Sequence, residues 1–280
     1  MTLTHEPMAE TRAAGGLMAG RRGLVMGVAN DRSIAFGIAR AMADQGAEVG
    51  ITYQGEAFGR RARPLAEALG GRLAIDVDVT DEGSMERAFG EIGETWGGLD
   101  FVIHAIAFCD KAELAASFRF SDTSRGNFLR AMEISCYSLI EVARRAAPLM
   151  PQGGSITTLT FQGSQRVTPC YNVMGVAKAG LETAVRYLAS DLGPDGIRVN
   201  AISPGPMKTL AGSAIGGARR TYKYAEANAP LRANAELDAI GGTAVWLASD
   251  WGRFTTGEVV TVDGGLHVLG MPQLENLGAP

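Results

Sequence analysis

This sequence has little cysteine, no long apolar run and no excess of positive charge. Its three cysteines, Cys109, Cys136 and Cys170, stand far apart and form neither a disulfide framework nor a metal-ligand spacing. No metal site is expected, and the chain reads as a protein of a reducing compartment. No apolar stretch approaches the roughly 20 residues that a bilayer-crossing helix needs. The opening MTLTHEPMAETRAAGG carries His and Glu and lacks a continuous apolar segment, so a secretory signal is not expected and a cytoplasmic location is. A net charge of −4 excludes a general attraction to nucleic acid. A GxGxxG loop is missing as well.

What is present is ample core material. The 280 residues are 46% hydrophobic, enough for one large α/β domain or two small ones. Residues 1–19 read as a flexible arm, 20–270 as the domain and 271–280 as a tail. Short apolar runs at 22–28, 48–52, 73–79, 101–105, 155–160, 198–203 and 258–262 predict seven strands. Helical spacing predicts helices at 33–45, 57–69, 82–96, 125–149, 172–192 and 237–249. Strand–helix alternation with short connections means βαβ units, hence a Rossmann-type doubly wound parallel sheet with helices on both faces. Residues 204–235 are rich in Ala and Gly with weak periodicity, and read as a lid of short helices and loops. No linker or composition break marks a second domain.

In such a sheet, ligands bind beyond the carboxyl ends of the strands, where strand order reverses. The first strand ends at Gly27-Val28-Ala29-Asn30, and Ser33 and Ile34 open the next helix. Small residues there let the backbone approach a pyrophosphate at the helix N-terminus. The alternative is an ordinary βα turn. The second strand ends at Gln54, where a dinucleotide site usually places Asp or Glu for the adenosine ribose. Gln can still bond a ribose hydroxyl, which leaves NADH open; Arg60 and Arg61 offer a 2′-phosphate site, the NADPH alternative, or are solvated helix residues. Asp78 and Val79 are placed to contact adenine, Asp78 serving otherwise as a helix cap.

The stretch YNVMGVAK supplies chemistry. A helix turns about 100° per residue, so Tyr171 and Lys178 fall within about 20° of one face, about 10 Å apart along the axis. A cation near a phenol favours its ionisation and makes it a better acid near neutral pH. The bland alternative is a surface Tyr and an unrelated Lys.

Several motifs together carry a family resemblance. They are Gly27…Ser33-Ile34-Ala35-Phe36-Gly37, Thr52-Tyr53-Gln54, His104-Ala105-Ile106-Ala107-Phe108, the Tyr171…Lys178 stretch, Asn200-Ala201-Ile202-Ser203, Gly205-Pro206-Met207-Lys208-Thr209-Leu210, and Val262-Asp263-Gly264-Gly265. Over residues 20–268 the chain resembles the bacterial enoyl-acyl-carrier-protein reductases, a divergent branch of the short-chain dehydrogenase/reductases. The Tyr-x6-Lys spacing is specific, since ordinary members use Tyr-x3-Lys and their Tyr position is Met174 here.

The resemblance implies hydride transfer from NADH to C3 of a trans-2-enoyl thioester and protonation at C2, in fatty acid biosynthesis. Tyr171 would bond the thioester oxygen, and Lys178 the nicotinamide ribose. Ile106, Met207, Lys208, Thr209, Leu210 and Ala211 would meet the nicotinamide half, and Cys109 and Phe161 the acyl chain. Acyl carrier protein is the implied partner, with Arg219, Arg220 and Lys223 as a basic docking face. A homotetramer is implied too. The chain departs from the family pattern at Phe161 (often a second Tyr), Ala107 (Gly), Cys170 (Asn), Pro204 (Ala) and Gly216 (Lys). Rival readings are a carbonyl-reducing short-chain dehydrogenase and a cofactor-binding paralogue without activity.

Overall fold

The computed structural model describes residues 15–277; most of the predicted arm and the end of the tail lie outside these. Seven strands form one sheet in the order β3-β2-β1-β4-β5-β6-β7, every neighbouring pair parallel. They are β1 (Arg22–Met26), β2 (Glu48–Tyr53), β3 (Ala74–Asp76), β4 (Phe101–His104), β5 (Gly154–Leu159), β6 (Ile197–Pro204) and β7 (Val259–Val262). Strand order reverses between β1 and β4, so the crevice for a ligand opens above their carboxyl ends.

Helices cover both faces because the strands are apolar on both sides. One face packs under α1 (Ile34–Asp44), α2 (Glu56–Ala68) and α8 (Leu237–Ala248), around Val25, Ile38, Ile51 and Ile240. The other packs under α3 (Glu82–Trp96), α5 (Ser138–Ala146) and α6 (Val173–Leu192), around Leu24, Ile92, Val142 and Leu181. Complete burial of residues such as Leu24 and Ile38 contributes about 1.5–3 kcal/mol each.

One predicted element differs. The helix expected over 125–149 is interrupted: α4 (Arg125–Met132) passes through a π-helical turn at Glu133–Tyr137 into α5. The turn has a use. Ser135 Oγ accepts from Phe108 N at 2.9 Å and donates to the Phe108 carbonyl at 3.1 Å, and Ser138 Oγ meets His104 Nε2 at 2.8 Å. It therefore anchors the chain leaving β4. The segment after β6 holds α7 (Ala218–Asn228), with a short helical turn at Gly212–Ala214 before it.

Candidate active site

The site builds up from the ends of β1, β2 and β5. After β1, Gly27 turns the chain at φ +88°, and a Cβ there would lie 2.3 Å from the Ala105 carbonyl oxygen, so only glycine fits. Ser33 stands at the N-cap position of α1, but its side chain does not cap the helix. Its Oγ accepts from Ala29 N (3.2 Å) and Asn30 N (3.0 Å) and donates to the Asn30 carbonyl. The loop is thus wound around Ser33, and the first-turn N–H groups ending at Ile34 and beyond have no side-chain cap. Free N–H groups at a helix start, beside a tight glycine turn, suit a pyrophosphate.

Beyond β2 and β3, Gln54 and Asp78 come together. Burial acts to raise the Asp78 carboxyl, but hydrogen bonds from Thr80 and the Gln54 side chain, with the Arg130 charge, hold it below its ordinary value. β3 ends at Asp76, so Asp78 and Val79 lie in the following loop. The helix-cap role considered for Asp78 belongs to Asp81, which accepts from Gly83 N at 2.9 Å. Asp76 accepts from Gly55 N at 2.7 Å, and Glu56 grips Arg63 through both oxygens. Arg63 in turn donates from Nε to Tyr53 Oη at 3.0 Å, so Glu56 and Arg63 are paired with each other at the end of β2. Arg60 and Arg61 are exposed on α2.

The expected shared helical face of Tyr171 and Lys178 is corrected here. α6 begins at Val173, so Tyr171 precedes the helix, in a turn where Asn172 has φ 46° and ψ −126°. The Tyr171 ring packs at 5.0 Å and 60° to Phe161, and over Gly163, where a Cβ would stand 2.4 Å from the ring. Leu114 and Met174 join it, with Cys109 and Ile215 at the edge. Burial, helped by Cys109 and Glu182, pushes the phenol above its ordinary value. The expected acidification by Lys178 is therefore overturned: desolvation keeps the phenol protonated.

Lys178 is on α6 and buried. Its Nζ donates to the Leu159 carbonyl at 2.8 Å at the end of β5. Burial pulls its pKa down from 10.5 to about 8, against the pull of Cys136 and Glu182. An ammonium has three N–H groups and this one has a single acceptor, so it suits two further hydroxyls.

Of the remaining predicted residues, Cys109 and Phe161 pack with Tyr171, and the others lie elsewhere around the carboxyl end of the sheet. Ile106 packs half-buried on the core and Met207 on the opposite cluster. Cys109 receives a contact from Asn127 Nδ2 at 3.4 Å, and burial raises its thiol, so it is not an activated nucleophile. Lys208 places its Nζ 4.2 Å from the Tyr222 ring centre, on α7. Thr209 Oγ1 accepts from Gly212 N at 3.0 Å; Leu210 and Ala211 are exposed.

The family model described as Enoyl-(Acyl carrier protein) reductase matches residues 27–267. This chain belongs to the enoyl-acyl-carrier-protein reductase family. It is 53% identical to an enoyl-acyl-carrier-protein reductase (NADH) of Rhizobium meliloti (strain 1021), over 94% of this chain and 97% of that one. A Rickettsia felis enoyl-acyl-carrier-protein reductase (NADH) is 48% identical, over 92% and 99% of the two chains. A crystal structure of the Anaplasma phagocytophilum reductase in complex with NAD superimposes with a TM-score of 0.89 at 53% identity, covering 93% of this chain and 98% of that one.

For this enoyl-acyl-carrier-protein reductase, sequence reasoning missed two polar residues at the site. Glu182 lies one helical turn beyond Lys178 on α6. It is buried, and accepts from Thr160 Oγ1 at 2.6 Å, Ser164 Oγ at 2.5 Å and Gln165 Nε2 at 3.3 Å. It ties α6 to the loop that carries Phe161. The i, i+4 spacing from Lys178 was the available signal. Asn172 donates from Nδ2 to the Glu113 carbonyl at 2.7 Å, and nothing in the sequence pattern marks it.

Proposed function

We propose that this protein reduces the trans-2 double bond of enoyl thioesters carried by acyl carrier protein, with NADH as reductant, and that Tyr171 and Lys178 carry the chemistry. The observation behind this reading is Tyr171 buried in an apolar pocket of Phe161, Leu114, Met174 and Ile215, together with a buried Lys178 on the following helix whose ammonium has N–H groups to spare. When bound, NADH supplies the hydride. The loop at Gly27 and Ser33 holds the pyrophosphate, Gln54 the adenosine ribose, Asp78 and Val79 the adenine edge, and Lys178 the nicotinamide ribose.

Addition of hydride to C3 drives the electron pair of the double bond toward the thioester oxygen, and a solvent-derived proton added at C2 of the resulting enolate completes the reduction. Tyr171, held as a neutral phenol, donates a hydrogen bond to that oxygen as its charge grows. An O–H donor that is already in place stabilises the enolate without reorganisation. Lys178 adds positive charge on the same side. Phe161 has no hydroxyl, so it walls the acyl chain and leaves Tyr171 as the phenol of the site. Residues 204–235 act as the lid, with Ile215 as the side chain that reaches the pocket.

Supply of NADH with crotonyl or longer enoyl thioesters, set against simple ketones, tests this assignment. Turnover of ketones without turnover of enoyl thioesters would contradict it.

Acyl carrier protein is acidic, and Arg219, Arg220 and Lys223 are exposed on α7. Arg219 and Lys223 share one face of that helix. Charge reversal of Arg219 and Arg220 to Glu is expected to lower kcat/KM for the protein-borne substrate about tenfold at low salt, and much less at high salt. Small enoyl thioesters should be unaffected; an equal loss on both would remove this face from docking. A homotetramer is part of the same reading. Phe128, Leu129, Tyr137, Ile140 and Tyr187 leave apolar surface exposed along α4, the π turn, α5 and α6. Light scattering should give four times the 29.4 kDa of the chain, and a monomer would exclude it.

A further inference from the structure

Among the described residues, three non-glycines have positive φ, and two of them flank Tyr171: Cys170 at 65° and Asn172 at 46°. Side chains rarely adopt this backbone, and such strain persists only where the surroundings hold it. For Asn172 the holding contact is visible. Its Nδ2 donates to the Glu113 carbonyl at 2.7 Å. Glu113 is itself fixed: it is buried, and its carboxylate accepts from Asn127 Nδ2 at 2.8 Å and Ser124 N at 3.3 Å. The next residue, Leu114, packs on Tyr171, and its carbonyl accepts from Gly216 N at 2.7 Å. Residues 113–114 therefore form a strut with Tyr171's turn on one edge and the segment after β6 on the other.

We infer that Asn172 is a positioning residue: its amide, bonded to the Glu113 carbonyl, sets the direction of the Tyr171 phenol by holding a backbone that the chain would otherwise relax. The inference rests on the reading of Tyr171 as catalytic. Asn172 acts through Tyr171, since its side-chain amide is spent on the Glu113 carbonyl. The same strut carries Gly216, so the Tyr171 turn and the segment after β6 rest on one support.

Asn172→Gly separates positioning from folding, since Gly takes the positive φ freely and removes only the amide. Its thermal midpoint should not fall and NADH affinity should be unchanged, while kcat for an enoyl thioester should drop about tenfold or more, as small misplacements of a reacting group do. Asn172→Asp keeps the shape but cannot donate, and should show the same loss; it serves as the reading if the Gly variant is not recovered folded. In a Tyr171→Phe background, Asn172→Gly should bring no further loss, because the amide acts through the phenol. Wild-type turnover of Asn172→Gly, or a full additional loss in the Phe background, would overturn the inference. If Tyr171→Phe retained full activity, the catalytic reading of Tyr171 would fall instead, so the two failures are distinguishable.

Discussion

Tyr171→Phe is expected to lower turnover of an enoyl thioester by about 10²–10³-fold, the loss seen when one oxyanion donor is removed from a dry site. NADH affinity should be retained, because the ring packs against Phe161 and Gly163 and Phe keeps that packing. The fold should also hold, since the phenol's oxygen anchors no helix or strand. The pH profile carries a second part of this expectation. Burial raises the phenol's pKa, so the wild-type rate should show no limb from Tyr171 ionisation in the neutral or mildly alkaline range. Single-turnover rates from pH 6 to 9 with both proteins check this. A Phe variant with unchanged turnover would remove Tyr171 from the chemistry.

Lys178→Met should weaken NADH binding about 10- to 100-fold at pH 7, the range for loss of charge-assisted hydrogen bonds. Its pH dependence follows from burial, which lowers the ammonium to about 8. Below that value Lys178 is charged and can donate to ribose hydroxyls. Above it the free enzyme loses the proton, so binding must take one up, and the dissociation constant should rise by up to about tenfold per pH unit. The Met variant should lack this rise.

Stability should move the other way. The folded pKa lies below the unfolded one, so the unfolded chain binds more protons between about 8 and 10.5. The stability of the cofactor-free protein should therefore rise with pH across that window, and the buried charge is an unrelieved cost below it. Met at this position should raise the melting temperature at pH 7 while it damages binding. Fluorescence titration with NADH and thermal melts over the same pH series measure both effects. A flat binding profile in the wild type would mean that Lys178 does not hold the cofactor as an ammonium.

Much of this was legible in the residues. Runs such as Leu24–Val25 and Ile51–Thr52, each followed by a helical pattern, specify a parallel sheet because both faces must be covered. The parallel strands put Gly27 and Gln54 at the carboxyl ends of β1 and β2, while Lys178 comes to the end of β5 only through its contact with the Leu159 carbonyl. The errors have physical causes. Helical periodicity registers side-chain spacing but not backbone handedness, so it carried Tyr171 onto α6 although Asn172 turns the chain first. The run at 125–149 contains no Gly or Pro near Glu133–Tyr137, and a π turn adds a residue without disturbing the apolar pattern locally. The predicted helix start at Glu82 already puts Asp81 at the N-cap of α3, and Asp78 stands three residues too early to fill it. The Lys178 charge was expected to acidify the phenol, but burial, with Cys109 and Glu182, raises it, and Lys178 is engaged with the Leu159 carbonyl instead. Glu182 illustrates the limit: as an acid on a long helix it looks solvated, and only burial against Thr160 and Ser164 shows otherwise.

The most direct measurement follows isotopes through one turnover of a medium-chain trans-2-enoyl thioester. With NADH carrying deuterium at the transferred position of its nicotinamide, the saturated product should contain that deuterium at C3. With unlabelled NADH in deuterated solvent, the label should appear at C2. Mass spectrometry of the product reads both positions. Label found on a carbinol carbon, or an enoyl thioester left unreduced while NADH remains unspent, would contradict the assignment of Tyr171 and Lys178 to enoyl reduction.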